Sequence, residues 1–190
     1  ETTAKEIEGY TLDETKLPEN ATGTFSDQAQ TVTYVYEKIE LAAYGEFKLG
    51  YWKNGEDGFV LEGRAGLEDT VIGNKDEVTK FVEFVDEDGE LISSIPASIT
   101  NWYDKENYDG FQVYMKKEYM AELPSGDFKV QVRIEYKGTS YVTAINENLA
   151  ARGIGSYVDK IEKISAYLMG QNFVSFGKLT NQMIMSVEGV

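Results

Sequence analysis

The chain is predicted to be all-β: a small sheet first, then an antiparallel β-sandwich of about seven to nine strands. Three observations predict it. Residues 128–136, FKVQVRIEY, alternate without a break: Phe128, Val130, Val132, Ile134 and Tyr136 point one way, and Lys129, Gln131, Arg133 and Glu135 the other, as in a strand with one buried face. Turn-forming pairs recur at short intervals, at Gly73-Asn74, Asp88-Gly89, Asp109-Gly110, Ser125-Gly126 and Lys137-Gly138, with Gly55 and Gly58 before them, which is the punctuation of a sandwich. Helical spacing, by contrast, is confined to two segments.

In chain order, residues 31–37, TVTYVYE, put Val32, Tyr34 and Tyr36 on one face of a strand. Residues 79–85 and 90–95, TKFVEFV and ELISSI, flank DEDG and read as a hairpin, with Asp88 and Gly89 supplying the positive-φ turn residues. Residues 110–116, GFQVYMK, align Phe111, Val113 and Met115. KKEYMAEL, residues 116–123, suits one or two helical turns ending before Pro124. Residues 157–169, YVDKIEKISAYLM, fit a helix through Val158, Ile161, Ile164 and Leu168 but also a strand, which is the reading taken for the second half. QMIMSVE, residues 182–188, is the last strand. No internal period repeats. A boundary is expected near residues 38–41, dividing the chain into units 1–38 and 39–190.

Charge and composition exclude several functions. Asp and Glu number 33 against 18 Lys and Arg, a formal net charge of −15 over 190 residues. Nucleic acid and anionic membrane surfaces are repelled by such a chain, and no basic stripe offsets this. There is no cysteine and no histidine, so disulfides, thiolate metal sites, cysteine nucleophiles and imidazole chemistry are unavailable. No run of about 18 apolar residues is present to span a membrane. The chain lacks an initiating Met and a signal peptide and is expected to be an excerpt or a processed product.

Three pieces of the N-terminal stretch carry a family resemblance: Ala4-Lys5-Glu6-Ile7-Glu8-Gly9-Tyr10, Asn20-Ala21-Thr22-Gly23-Thr24-Phe25 and Thr31-Val32-Thr33-Tyr34-Val35-Tyr36. Together, over residues 1–37, they resemble the C-terminal part of a mucin-binding-protein (MucBP) repeat. Such repeats open with a V-x-V-x-Y-x-D-x-x-G hairpin that is not in this sequence. The resemblance therefore implies a truncated, β-grasp-like small sheet with an unpaired edge prone to pair with another chain. It also implies a wall-attached surface protein of a Gram-positive bacterium that adheres to glycans or mucin. Residues 39–190 resemble immunoglobulin-like modules of bacterial surface proteins, through Tyr108-Asp109-Gly110-Phe111 and Leu123-Pro124-Ser125-Gly126-Asp127-Phe128-Lys129-Val130; that likeness concerns fold more than function.

Most motifs have a plain reading. Leu17-Pro18-Glu19-Asn20-Ala21 lacks the Thr-Gly of a sortase signal and reads as a loop, and Asn20-Ala21-Thr22 matches a glycosylation sequon but reads as a turn. Asp86-Glu87-Asp88-Gly89 could offer carboxylates to calcium, yet the twelfth position of an EF-hand loop falls on Ala97. Glu56, Asp57, Glu68, Asp69, Asp76 and Glu77 leave a calcium site open only if the fold gathers them. No local motif marks a catalytic carboxylate pair. Arg152-Gly153-Ile154-Gly155-Ser156 has neither phosphate-loop nor dinucleotide spacing.

Aromatic clusters are the candidates for recognition, because sugars stack C–H faces on aromatic rings while Asn and Asp bond their hydroxyls. Residues 101–109, NWYDKENYD, combine three aromatics with four Asn or Asp side chains in a connection between strands, where binding residues gather. The ligand-binding candidates are Trp102, Tyr103, Asp104 and Tyr108, with Trp52 from a second cluster, GYWKN. The competing reading of both tryptophans is core packing. The expected function is that of a non-catalytic module of a cell-wall surface protein, adhesive toward a glycan or mucin, with no nucleic-acid partner and no membrane insertion, and no cofactor unless calcium. The alternatives are a ligand-free spacer of a surface stalk and an accessory carbohydrate-binding domain of an enzyme.

Overall fold

The computed structural model describes residues 2–24, 27–53, 57–145, 167–169, 171–179 and 182–189. They fall into two compact units, Glu1–Leu41 and Ala42–Val190.

In the first unit, β1 (Tyr10–Leu12) pairs antiparallel with β2 (Tyr36–Lys38). A 3-10 turn at Glu14–Lys16 follows β1; Asp13 caps it by accepting from the Thr15 amide, and Lys16 closes on the same carboxylate at 2.6 Å. These bonds hold the Asp13 carboxyl down at about 2, with the Lys16 and Thr15 hydrogen bonds as the main cause. Two tyrosine hydroxyls tie the leading segment down: Tyr34 donates to the Thr2 carbonyl at 2.7 Å and Tyr36 to the Lys5 carbonyl at 2.6 Å. Asn20 Nδ2 donates to the Thr31 carbonyl at 2.8 Å. The strand expected over residues 31–37 is regular only from Tyr36. Val32 and Tyr34 are half-buried, as the alternation requires, but their backbone forms no ladder. Beyond the ladder the Asp13 amide still donates to the Val35 carbonyl at 2.9 Å, and among the described residues no further strand pairs there.

The second unit is a sandwich of two antiparallel sheets. The smaller runs β3 (Ala43–Lys53), β4 (Gly58–Leu67), β8 (Gly110–Lys116) and β7 (Ser98–Thr100) in spatial order. The larger is ordered β11 (Tyr167–Met169), β12 (Asn172–Leu179), β13 (Gln182–Gly189), β9 (Gly126–Tyr136), β5 (Val78–Val85) and β6 (Leu91–Pro96), with β10 (Thr139–Ala144) also on β9. A short helix, α1 (Lys117–Ala121), ends before Pro124 as its sequence predicts. Two strands share one edge of β9 end to end: β13 pairs with Gly126 through Lys129 and β10 with Gln131 through Tyr136. Ile145 is the seam, donating to Val130 and accepting from Met183.

The sandwich has eleven strands among its described residues, more than the seven to nine expected, and one run is divided between the sheets. After Pro96 the chain leaves β5, and from Ser98 it pairs with β8 in the opposite sheet. The β5–β6 hairpin forms where predicted, and only its turn chemistry differs. Gly89 alone takes a positive φ, 85°, while the Asp86 carboxylate accepts from the amides of Asp88 and Glu90. Lys137 and Gly138, at φ 47° and 75°, close the β9–β10 hairpin in the left-handed conformation that two-residue turns need. Gly55 and most of residues 157–169 lie outside the described residues, as does Arg152-Gly153-Ile154-Gly155-Ser156; of the strand assigned to the second half of 157–169, β11 is described.

The core lies between the sheets. Phe59 and Leu61 of β4 and Phe111, Val113 and Met115 of β8 face Val82 and Phe84 of β5, Val130, Val132 and Ile134 of β9, and Phe176 of β12; all are buried. The Phe59 and Phe176 rings stack across the gap at 4.0 Å between centroids. The alternation of residues 128–136 appears as written, inward members buried and outward members half-buried or exposed.

Candidate functional site

The site develops at the end of the small sheet where β4 meets β8. Strand alternation turns Tyr44 and Glu46 of β3, Glu62 and Arg64 of β4, and Gln112 and Tyr114 of β8 outward, because Phe47, Leu61, Ala65, Phe111 and Val113 are buried inward. Arg64 lies opposite Glu46 in the ladder. Its guanidinium reaches the fully buried Asp109 carboxylate through Nε at 2.8 Å and Nη2 at 2.6 Å, both to Oδ2. The Tyr44 hydroxyl donates to the same oxygen at 2.5 Å. Gly66 makes this possible: a Cβ there would lie 2.7 Å from the Tyr44 hydroxyl and 3.0 Å from the Asp109 Cβ.

From the opposite sheet Lys80, on the core face of β5, crosses to the same place. Its ammonium donates to the carbonyls of Tyr108 at 2.8 Å and Gly110 at 3.1 Å, one on either side of Asp109. Burial pushes the Lys80 ammonium down to about 7; the Asp109 charge opposes that shift and the Arg64 charge adds to it. Burial opposes the Arg64 charge too, yet its bonds to Asp109 raise it above the ordinary guanidinium value. Burial and the neighbouring carboxylate push the Tyr44 phenol far above its usual range. Arg64 and Tyr44 therefore keep their protons at neutral pH and act as fixed donors to Asp109.

This network anchors the loop between β7 and β8, which carries four of the five predicted ligand-binding residues. Asn107 is buried and its Oδ1 accepts from the Ile72 amide at 2.9 Å, while the Tyr108 amide donates to the Ile72 carbonyl. Asn101 Nδ2 donates to the Lys105 carbonyl and Asp104 Oδ1 accepts from the Glu106 amide, each at 3.0 Å. The polar side chains read as sugar contacts are thus partly spent on shaping the loop. Beside the exposed Asp104, Lys105 and Glu106, the loop shows two rings to solvent: Trp102 is 59% exposed and Tyr103 37%. Tyr103 lies against the sheet's outer face, its ring 5.6 Å from the Lys48 ammonium, which pairs with Glu46 at 2.6 Å. Tyr108 is half-buried at the Lys80 anchor. Trp52 lies apart. Its ladder position opposite Phe59 turns it inward, and its ring packs on Phe59 at 5.0 Å and Phe176 at 5.9 Å.

Of the acidic residues read for calcium, Glu56 lies outside the described residues. Asp86 spends its carboxylate on the hairpin turn, and among the described residues no three acidic side chains gather in a way that could hold a metal ion. Among the described residues no helix is long and apolar enough to cross a membrane.

Known proteins share parts of this chain. In architecture, it matches a crystal structure of S. aureus TarS residues 217–571 at a TM-score of 0.51, covering 85% of this chain and 43% of that one at 13% identity; a likeness at that identity is one of fold. In sequence, residues 1–37 match the MucBP domain family. Two proteins named Internalin J are similar to it: one from Listeria monocytogenes serotype 4b, 63% identical over 41 residues, and one from serovar 1/2a, 32% identical over 120 residues. These alignments cover 22% and 63% of this chain but only 4% and 13% of the relatives, so the chain spans a small part of their length.

Proposed function

We propose that this chain is a non-catalytic adhesion module of a Gram-positive bacterial cell-wall surface protein, and that the loop of residues 101–109 is its contact with a glycan of the mucin type. One observation carries the reading: Trp102 and Tyr103 are presented to solvent by a loop that Asn101, Asp104 and Asn107 shape through their own hydrogen bonds. Exposing a tryptophan on an ordered loop is unfavourable in the free protein, and the ordering pre-empts the entropy a binding event would otherwise cost. The MucBP match and the similarity to Internalin J support the surface setting. The non-catalytic assignment is supported by the use of the buried carboxylates: Glu46, Glu83 and Asp109 are each held by an arginine or lysine at 2.6–2.7 Å, a structural and not an acid–base use.

The test is binding of the folded chain to mucin glycans and cell-wall polysaccharides, with and without calcium, beside Trp102→Ala. Saturable binding that the variant loses supports the reading. A folded wild-type chain that binds none of them overturns it in favour of a spacer, and binding that needs calcium returns the acidic loops to consideration.

A further inference from the structure

The outer face of the small sheet continues the strip that the loop begins. Along β3, a bulge between Phe47 and Leu49 puts Lys48, next to Tyr103, directly before Leu49 and Tyr51. Tyr51 pairs across with Val60, and Val60 with Tyr114, forming one outward row; Leu49, Glu62, Gln112 and Ser98 form the next. Tyr51 is 43% exposed, beside a half-buried Leu49 and a buried Val60. In the second row Gln112 Nε2 donates to Glu62 Oε1 at 2.7 Å, fixing both side chains and leaving the Gln112 carbonyl and the second Glu62 oxygen as acceptors. Tyr114 is held by its hydroxyl on the Asp57 carbonyl and covered by the Lys53 ammonium at 4.9 Å from its ring. An open ring, an apolar floor and a fixed row of acceptors with a donor nearby suit one kind of ligand, a sugar lying flat.

We propose that the outer face of β3, β4 and β8 is a second subsite for an uncharged, extended oligosaccharide, with Tyr51 as its stacking ring and Glu62 and Gln112 as its hydroxyl partners. This rests on the reading of the loop as a sugar contact. Tyr51 lies three residues beyond Lys48, about 10 Å along the strand, so a ligand touching Tyr103 must exceed a disaccharide to reach it. The charges on this face favour an uncharged occupant. The cations Lys48, Lys53, Arg64 and Lys116 stand among the carboxylates Glu46, Asp57, Glu62 and Glu118, and Lys48 and Arg64 are already paired. Nothing on this face offsets the repulsion that a net charge of −15 exerts on an anionic glycan.

The experiment titrates the full chain with a poly-N-acetyllactosamine ladder, disaccharide to octasaccharide, and with sialylated and sulfated forms of the longest member. Wild type should bind the octasaccharide more tightly than the disaccharide. Tyr51→Ala should remove most of that gain, a loss of about three- to tenfold, without changing the disaccharide. Tyr51→Trp should restore it, and Trp102→Ala should weaken every length. Tyr51 is exposed, so an unchanged melting temperature separates lost contact from lost fold. A length gain that survives Tyr51→Ala, or a preference for the acidic forms, overturns this subsite while leaving the loop reading intact. Absence of binding at every length removes both.

Discussion

Residues 1–41 and 42–190 are held together by different physics. Every buried apolar side chain among the described residues lies in the second unit, while in the first Ile7, Tyr10, Leu17 and Ile39 are each more than 40% exposed. The first unit relies on a three-residue ladder, a capped 3-10 turn and three side-chain bonds to carbonyls. Each such bond contributes about 1 kcal/mol net, and a two-stranded ribbon is marginal in water. The second unit joins its sheets through an apolar core to which a fully buried phenylalanine contributes about 2–3 kcal/mol. The segment that carries the family signature is therefore the one with the least fold of its own, and the second unit is the one with the packed core and the more elaborate surface.

Removing one ring from the core should show the contrast most strongly. Phe84→Ala is expected to destabilise the second unit by about 3–5 kcal/mol, measured by urea unfolding followed through the fluorescence of Trp52, whose ring rests on Phe59 and Phe176. A loss below about 1 kcal/mol would deny the sandwich a single cooperative core. Asp109→Ala should follow at about 3 kcal/mol or more, because it leaves the Arg64 guanidinium and the Tyr44 hydroxyl without their shared acceptor. Asp109→Asn, which keeps an acceptor, should recover part of it.

Lys80 gives the comparison a pH axis. Its folded value, about 7, lies below the 10.5 of the free side chain, so between those limits the unfolded chain binds more protons. Its contribution to stability therefore rises with pH through that window, by at most about 1.4 kcal/mol per pH unit. Lys80→Met should flatten the stability of the second unit between pH 7 and 9 while exposing two carbonyls to a loss of bonding. An unchanged slope would mean that the ammonium is better solvated than its burial implies. Asp13 in the first unit works in the opposite sense: its depressed value gives stability above the ordinary carboxylate range that is lost as pH falls through about 2.

How much of this was legible depended on how local the cause was. Strands β8 and β9 follow from alternation alone, since each buries one face. Strands β3 and β4 went unread because Gly45, Gly50, Gly58, Gly63 and Gly66 interrupt them, and glycine is disfavoured in strands. Its use here is spatial. A Cβ on Gly50 or Gly63 would sit 2.7 Å from the rings of Phe59 and Phe111, so the glycines are the floor under the aromatic core. The Asp109 anchor was equally hidden. Tyr44 and Arg64 meet it from 65 and 45 residues away, and in the sequence Asp109 is simply the first half of an Asp-Gly turn. Lys80 did leave a signal, a charge at the inward phase of TKFVEFV, between Val78 and Val82. The exposed Trp102 and the half-buried, core-facing Trp52 could not be told apart, because nothing local distinguishes a tryptophan on a bonded loop from one opposite a phenylalanine.

In the first unit the expected effects are smaller and stay local. Tyr36→Phe deletes the bond to the Lys5 carbonyl and should cost about 1 kcal/mol, read as faster hydrogen exchange at residues 5–12 and 34–38 with no change in the second unit. Coupled loss of protection in the sandwich would show that the two units unfold together.

The smallest expected effect is the one that protects the binding assay. Trp102 is the most exposed tryptophan, and the bonds that shape its loop come from Asn101, Asp104 and Asn107 and the anchor from Lys80, not from its own indole. Trp102→Ala should therefore shift stability by no more than about 0.5 kcal/mol, whereas Asn107→Ala, which strips the Ile72 amide of its buried acceptor, should cost about 1–3 kcal/mol. Paired urea titrations of the two variants decide the matter. If Trp102→Ala proves as damaging as Asn107→Ala, the indole is part of the fold and the loop loses its standing as a presented surface. If only Asn107→Ala destabilises, the ring is held out by a scaffold that does not need it, and any affinity lost with Trp102 is contact with a ligand.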